Sequence, residues 1–247
     1  MTQDLWPFLL LFALTGLVFG SFGSVLATRI PAGDSIGGRS QCPHCKRTLG
    51  VIDLIPVLSF LALRGRCRKC NAKIGWSYLL LEVASGLLFV TAFALSSFEP
   101  LPAVFLALGF WILFLIAFVD ARTQSIPDLF LYALIFAGIG LCLVRRDIDV
   151  VSPLIGIAFF GAQWAWSRGK WVGSGDIWLA AGMGLLLPDY RHMIVAILLS
   201  YICGAVYASA LLLTGKRTRK DHLAFAPFLA LGTLASFLFA ERILMGI

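Results

Sequence analysis

Long apolar runs alternate with short polar intervals along nearly the whole chain. Eight of them are candidate membrane spans: 5–28, 78–97, 103–119, 129–144, 151–166, 176–187, 193–213 and 223–240. A spanning helix needs about 20 mostly apolar residues, so the pattern predicts an all-α polytopic membrane protein. The sixth run is short and opens on Gly173-Ser174-Gly175-Asp176. It is expected to begin below the bilayer core, or to line a cavity where irregular backbone is tolerated. The first run lacks the basic start of a secretory signal, since Asp4 is the only charge before it, and reads as a retained helix. No internal sequence repeat or low-complexity stretch is apparent.

Composition strengthens this reading. Of 247 residues, 60% are hydrophobic and 13% charged, against about 45–50% and 25% in soluble domains. The 20 Lys and Arg against 13 Asp and Glu are informative by position. If the loop after the first span is cytosolic, that side collects 16 of the 20, and only Arg145, Arg146, Arg191 and Arg242 fall opposite. The positive-inside bias then predicts periplasmic N- and C-termini. The net charge of +7 is accounted for by insertion and by contact with membrane lipids, with no nucleic-acid partner implied.

Residues 29–77 form the one polar segment of any size. It holds Cys42-Pro43-His44-Cys45 and Cys67-Arg68-Lys69-Cys70, a spacing that lets two CxxC knuckles close a tetrahedral Cys₄ structural zinc site. Disulfides are the competing reading, but the charge bias places the loop in the reducing cytosol. A segment this short leans on a metal to fold. His44 reads as a solvated spacer, and Cys142 and Cys203 as small packing residues within spans. The expected organisation is therefore a first helix (1–28), a cytosolic zinc loop (29–77) and a transmembrane core (78–247).

Ionisable groups inside apolar runs are costly and call for a function or a partner. Asp120 closes the third run, where the helix dipole disfavours a carboxylate. Asp176 opens the sixth behind Gly173 and Gly175, whose expected role is a positive φ or a close backbone approach. Asp128 reads as the cap of the fourth span after Pro127. Glu82, one turn into the second span, either snorkels, pairs with a loop Arg, or joins a polar site with the two aspartates. Gly16, Gly20 and Gly23, with Ser21 and Ser24, suggest close helix packing or a ligand path. Two aspartates at one membrane face suggest a carboxylate pair that shares a proton, one acting as base and the other as acid. No Ser–His, Cys–His or HExxH pattern competes.

These motifs, taken in order, resemble the type IV prepilin peptidases. Gly20-Ser21-Phe22 through Arg29-Ile30-Pro31 is similar to that family's first motif; the paired CxxC knuckles follow, with Asp53-Leu54-Ile55-Pro56 between them. Glu82, Asp120 through Pro127-Asp128, Gly173 to Asp176, and Ala226-Pro227-Phe228-Leu229-Ala230-Leu231-Gly232 complete the set. The resemblance implies an inner-membrane aspartyl endopeptidase with Asp120 and Asp176 as the catalytic pair. It implies cleavage of the basic leader of prepilins or pseudopilins after a glycine, at the cytosolic face. It further implies S-adenosylmethionine-dependent N-methylation of the new terminus. The chain departs from the pattern at Gly23-Ser24, Ser77-Tyr78-Leu79, Trp178 and Ala226, none of which is an aspartate of the pair or a cysteine of the knuckles.

Two readings from other classes compete. An ion-coupled transporter would place buried acids near the bilayer midplane, whereas these lie at one edge. A non-enzymatic zinc-loop scaffold of a pilus or secretion assembly would survive loss of both aspartates.

Overall fold

The computed structural model describes residues 5–147, 149–216, 218 and 222–245. Arg217, Arg219 and Lys220 of the orientation count lie outside the described residues, as do Asp4 and both chain ends. Helices are the regular structure of the described residues, whose only strand pairing is two isolated bridges. The chain divides within one helix into two compact units, Met1–Ala107 and Leu108–Ile247.

The first unit contains α1 (Leu5–Ala32), a 3₁₀ turn (Val51–Leu54), α2 (Leu58–Ala62) and α3 (Trp76–Leu95), and it ends in the first turns of α4 (Pro100–Thr123). Apolar helices gain no hydrophobic drive from leaving lipid for each other, so their pairing depends on close van der Waals packing. In α1 the small residues supply it. A Cβ on Gly16 would sit 2.6 Å from the Ser85 carbonyl oxygen, and one on Gly20 would sit 2.5 Å from the Cα of Glu82. Phe12 stacks on Phe93 with centroids 4.6 Å apart, and Phe19 meets Phe89 at 5.2 Å. Gly16 and Gly20 therefore serve the packing reading, while Ser21 and Ser24 on the same helix border a cavity.

The second unit holds the rest of α4, with α5 (Asp128–Arg145), α6 (Val151–Ser167), α7 (Ser174–Leu186), α8 (Tyr190–Leu213) and α9 (Ala226–Met245). Helix α7 is its centre, packing on α5 and α6 and touching α8 and α9. Leu179, Ala180, Met183 and Leu186 of α7 are fully buried. Its glycines let neighbours approach: a Cβ on Gly184 would lie 2.4 Å from the Pro153 nitrogen in α6.

Helices α1, α3, α4, α5 and α8 are long and apolar enough to cross a membrane. Helix α7, with 13 residues, reaches only about 20 Å at 1.5 Å per residue, short of a core about 30 Å thick. It is closely packed among the other helices of its unit. Cys142 is buried, its thiol 3.4 Å from the Leu185 carbonyl oxygen. Cys203, expected to pack inside, is exposed on α8, because hydropathy does not reveal which face of an apolar helix meets protein.

The close contact between α1 and α3 gives a direct test. Gly20→Leu should cost about 1–3 kcal/mol by overpacking against backbone that cannot yield, read as a lowered melting temperature in detergent. Gly161→Ala, where a Cβ meets nothing within 4 Å, should leave the temperature unchanged or raise it.

Candidate active site and metal centre

The four loop cysteines converge. Sγ of Cys42 lies 3.8 Å from that of Cys70, Sγ of Cys45 lies 4.0 Å from that of Cys67, and all four fall within 4.8 Å of one another. Disulfide sulfurs would be about 2.05 Å apart, so these are free thiols. Four thiolates at about 2.3 Å from a tetrahedral zinc are separated by roughly 3.8 Å. The cage fits that ion.

Backbone geometry builds the cage twice over. In the first knuckle Lys46 N–H donates to the Cys42 carbonyl, Cys42 N–H to Arg47, and Leu49 N–H to Ser40. In the second, Asn71 donates to Cys67, Cys67 to Ala72, and Ile74 to Gly65. Each bond recurs 25 positions later, and the residue after each second cysteine, Lys46 or Asn71, has a left-handed φ of 54° or 57°. The loop is thus a structural repeat. It is hidden in the sequence because little beyond the cysteines is shared. Backbone amides of Cys70 and Lys69 draw the Cys67 thiol down to about 6, and amides of Cys45 and His44 lower Cys42 likewise. Both are thereby disposed toward the thiolate that a metal requires. Cys70 accepts the Ala72 amide, which lowers it, but burial and the neighbouring thiols push it up to about 11.

One carboxylate joins the knuckles. Asp53, its side chain 7% exposed, pairs with Arg47 of the first knuckle and with Arg68 Nε of the second at 3.0 Å. Its Oδ2 also accepts the Gly50 amide at 3.1 Å. Glu82 of α3 is buried, and its Oε2 accepts the Val57 amide at 2.7 Å, with Ser21 beside it. It neither snorkels nor pairs with an arginine. Glu82, Ser21, Thr28, Arg29, Tyr78 and Cys42 are among the residues around a cavity of about 500 Å³ within the first unit.

In the second unit, Asp120 and Asp176 come within electrostatic range of each other. Asp120 is 6% exposed in the last turn of α4, which runs on to Thr123. The unfavourable dipole there is answered from α9: Asp120 Oδ2 accepts the Ala226 amide at 3.0 Å, and the Phe225 amide also bonds to the carboxylate. The free amides at the start of α9 are thus satisfied by an acid from another helix. Gln124 Nε2 donates to the His222 carbonyl at 2.8 Å, tying the loop after α4 to the segment before α9.

Asp176 is half-buried at the third position of α7, where Oδ2 accepts the amide of the capping residue Gly173 at 3.0 Å. Contrary to expectation, neither Gly173 nor Gly175 has a positive φ, and neither is forced by a close neighbour. A Cβ on Gly175 would meet Ile126 at an ordinary 3.6 Å, and one on Gly173 would meet the Asp176 carboxylate at 3.5 Å. What the glycines provide is open space beside the acid. Asp128 also differs from expectation. Pro127 occupies the capping position and Asp128 is the first helical residue, exposed and making no cap hydrogen bond. Proline's fixed φ suits that boundary, leaving Asp128 to complement the dipole.

Two residues near this pair were not anticipated from the sequence. Tyr201 of α8 donates to Gln163 Oε1 of α6 at 2.8 Å, lies within electrostatic range of Asp176, and packs on Phe225 with centroids 5.0 Å apart. The available signal was a polar side chain isolated in each of two apolar runs.

Two acids of one helical unit within electrostatic range of each other make a candidate acid–base site, and comparison with known proteins is specific. Residues 14–96 match the Bacterial Peptidase A24 N-terminal domain, and residues 107–209 match the Type IV leader peptidase family. A Bacillus subtilis protein named prepilin leader peptidase/N-methyltransferase is 34% identical over 93% of both chains. A Burkholderia pseudomallei protein of the same name is 33% identical over 91% of this chain and 83% of its own. A type 4 prepilin-like proteins leader peptide-processing enzyme of Escherichia coli is 33% identical over 80% of this chain and 74% of its own. No solved structure shows a significant match. The chain belongs to the type IV leader peptidase family, a family of membrane peptidases.

The metal cage yields a prediction. Purified protein should carry one zinc per chain by elemental analysis, and Cys42→Ser or Cys67→Ser should lose it and render residues 40–74 sensitive to protease. Absence of bound metal in the intact protein would contradict the cage.

Proposed function

We propose that this protein is an aspartyl endopeptidase of prepilins or pseudopilins, with Asp120 and Asp176 as its catalytic pair. The observation that supports the reading is that these two acids lie in one helical unit within electrostatic range of each other, Asp176 beside the open backbone of Gly173 and Gly175. The ionised carboxylate of the pair takes a proton from water, and the oxygen adds to the scissile carbonyl, polarised by the protonated partner. Collapse of the tetrahedral species breaks the C–N bond, and the departing amine takes up a proton. No covalent enzyme intermediate is required. The ionisation belongs to the pair and not to either residue.

The substrate follows from family and charge. A short basic leader ending in glycine stays on the Lys/Arg-rich side of the membrane, and the following apolar helix of the prepilin lies in lipid. In this reading the chain lies in the bacterial inner membrane, with the zinc loop and both aspartates on the cytosolic side and both termini periplasmic, as the positive-inside bias supports.

The second activity is N-methylation of the new amino terminus. S-adenosylmethionine, the methyl donor, supplies an electrophilic methyl group on a sulfonium. The first unit's cavity of about 500 Å³ is within the roughly 300–1,000 Å³ range of small-molecule sites. Glu82 offers a carboxylate for the donor's positive charge, and Tyr78 an aromatic face. The knuckles, through Asp53 and the Val57 turn, hold the walls of that cavity in place.

Mass spectrometry of a prepilin incubated with purified protein and S-adenosylmethionine tests both steps. Wild type should remove the leader and add one methyl group to the product. Asp120→Asn and Asp176→Asn should each reduce cleavage by at least about 10²–10⁴-fold while remaining membrane-inserted. Glu82→Gln should retain cleavage and lose most methylation. Full cleavage by either Asn variant would refute the pair, and an uncut substrate with wild type would favour the scaffold reading.

A further inference from the structure

The segment between the knuckles presents an apolar surface that no part of the described chain covers. Val51 is 80% exposed, Leu58 65% and Trp76 75%, and Ile52, Ile55 and Leu61 are exposed beside them. A water-facing loop would not keep so many large apolar groups together.

Anchoring on three sides fixes this surface in direction and depth. Asp53 ties the 3₁₀ turn to Arg47 and Arg68 of the two knuckles. Phe60 is buried and packs on Trp76, the first residue of α3, at a centroid distance of 5.3 Å. The tip is held lower still. Val57, at a positive φ of 61° that a β-branched residue adopts only under constraint, donates its amide to Glu82. Glu82 lies six residues into α3, about 9 Å along a membrane-crossing helix. The turn is therefore drawn down alongside a span, and Trp76, packed on Phe60, shares one face of α3 with Leu80 and Leu87, exposed by 56% and 64%.

Charge agrees with this placement. From Leu54 to Leu81 the chain has five basic residues and no acidic one. Arg64, Arg66, Arg68, Lys69 and Lys73 are all exposed, directly after the apolar face. An apolar surface followed by a cluster of cations matches the interfacial layer of a bilayer carrying anionic headgroups.

We propose that residues 51–61 are a membrane-embedded wedge, their apolar face set into the leaflet beside α3 and the cations of residues 64–73 against anionic lipid headgroups. The wedge docks the metal loop on the membrane surface through lipid rather than through another protein.

Photocrosslinking tests this on the full-length protein in nanodiscs. Benzoylphenylalanine is placed at Ile52 or Leu58, and at exposed Arg39 as a control. Adducts are identified by mass spectrometry with phosphatidylcholine alone and with added phosphatidylglycerol. Lipid adducts at 52 and 58 several-fold above those at 39, increasing with phosphatidylglycerol, are expected. Equal lipid yields at all three positions would overturn the wedge. So would adducts at 52 and 58 only to a co-reconstituted prepilin or a second copy of the chain, which would make the surface a protein-docking face. Ile52, Leu58 and Arg39 are exposed and none is a cysteine of the cage, so zinc content and leader cleavage of each variant report whether the fold is intact.

Discussion

The hydrogen bond between Asp120 and the Ala226 amide is the interaction on which the second unit depends. A carboxylate at the C-terminal end of a helix, inside a membrane protein, opposes the local dipole and lacks bulk water. The N-terminal amides of α9 present the opposite problem, being donors without intrahelical partners. Each solves the other. The contact brings together residues 106 positions apart and sets the start of α9 at the end of α4, while α7 delivers Asp176 from its own first turn. The two acids are held by different means, one through a tertiary bond and the other through local capping. Glycine at positions 173 and 175 keeps the approach to the second one clear.

The first unit has the same economy of polar contacts. Its loop has few buried apolar residues, Phe60 among them, and gains order from the Cys₄ cage, the Asp53 bridge between knuckles and the Glu82 bond to Val57. Structural zinc sites in small modules contribute on the order of 10 kcal/mol to folding, more than such a loop could recover by burial. Cys42 and Cys67 of the cage and both carboxylates line the cavity of this unit. The proposed methyl transfer uses that cavity, and the proposed lipid wedge explains why its outer wall is apolar.

Much of this architecture was legible in the sequence. Hydropathy located every long helix, because lipid imposes a length and composition that soluble folds do not. It misplaced ends where helices outlast their apolar run: α1 continues through Arg29 to Ala32, and α4 past Asp120 to Thr123. The CxxC spacing predicted a four-cysteine cage, since metal geometry constrains sequence directly. Pairings across the chain were not legible. Nothing local to Glu82 points to Val57, and nothing local to Asp120 points to Ala226, for a backbone amide leaves no trace in residue identity. The roles of Gly173, Gly175 and Asp128 were misread for a related reason: the residues that favour a special turn also occur where space, or only a favourable charge, is wanted. Tyr201 and Gln163 were visible as isolated polar groups, but their mutual bond was not.

The central claim is that Asp120 and Asp176 act as one acid–base unit. The most direct measurement is the pH dependence of kcat/KM for leader cleavage by the wild-type protein. A pair that works with one shared proton predicts a bell-shaped profile, with activity lost when both acids are protonated and again when both are ionised. A profile with a single ionisation, flat on one side through the range where the protein remains folded, would contradict the pair and leave one aspartate with a structural role.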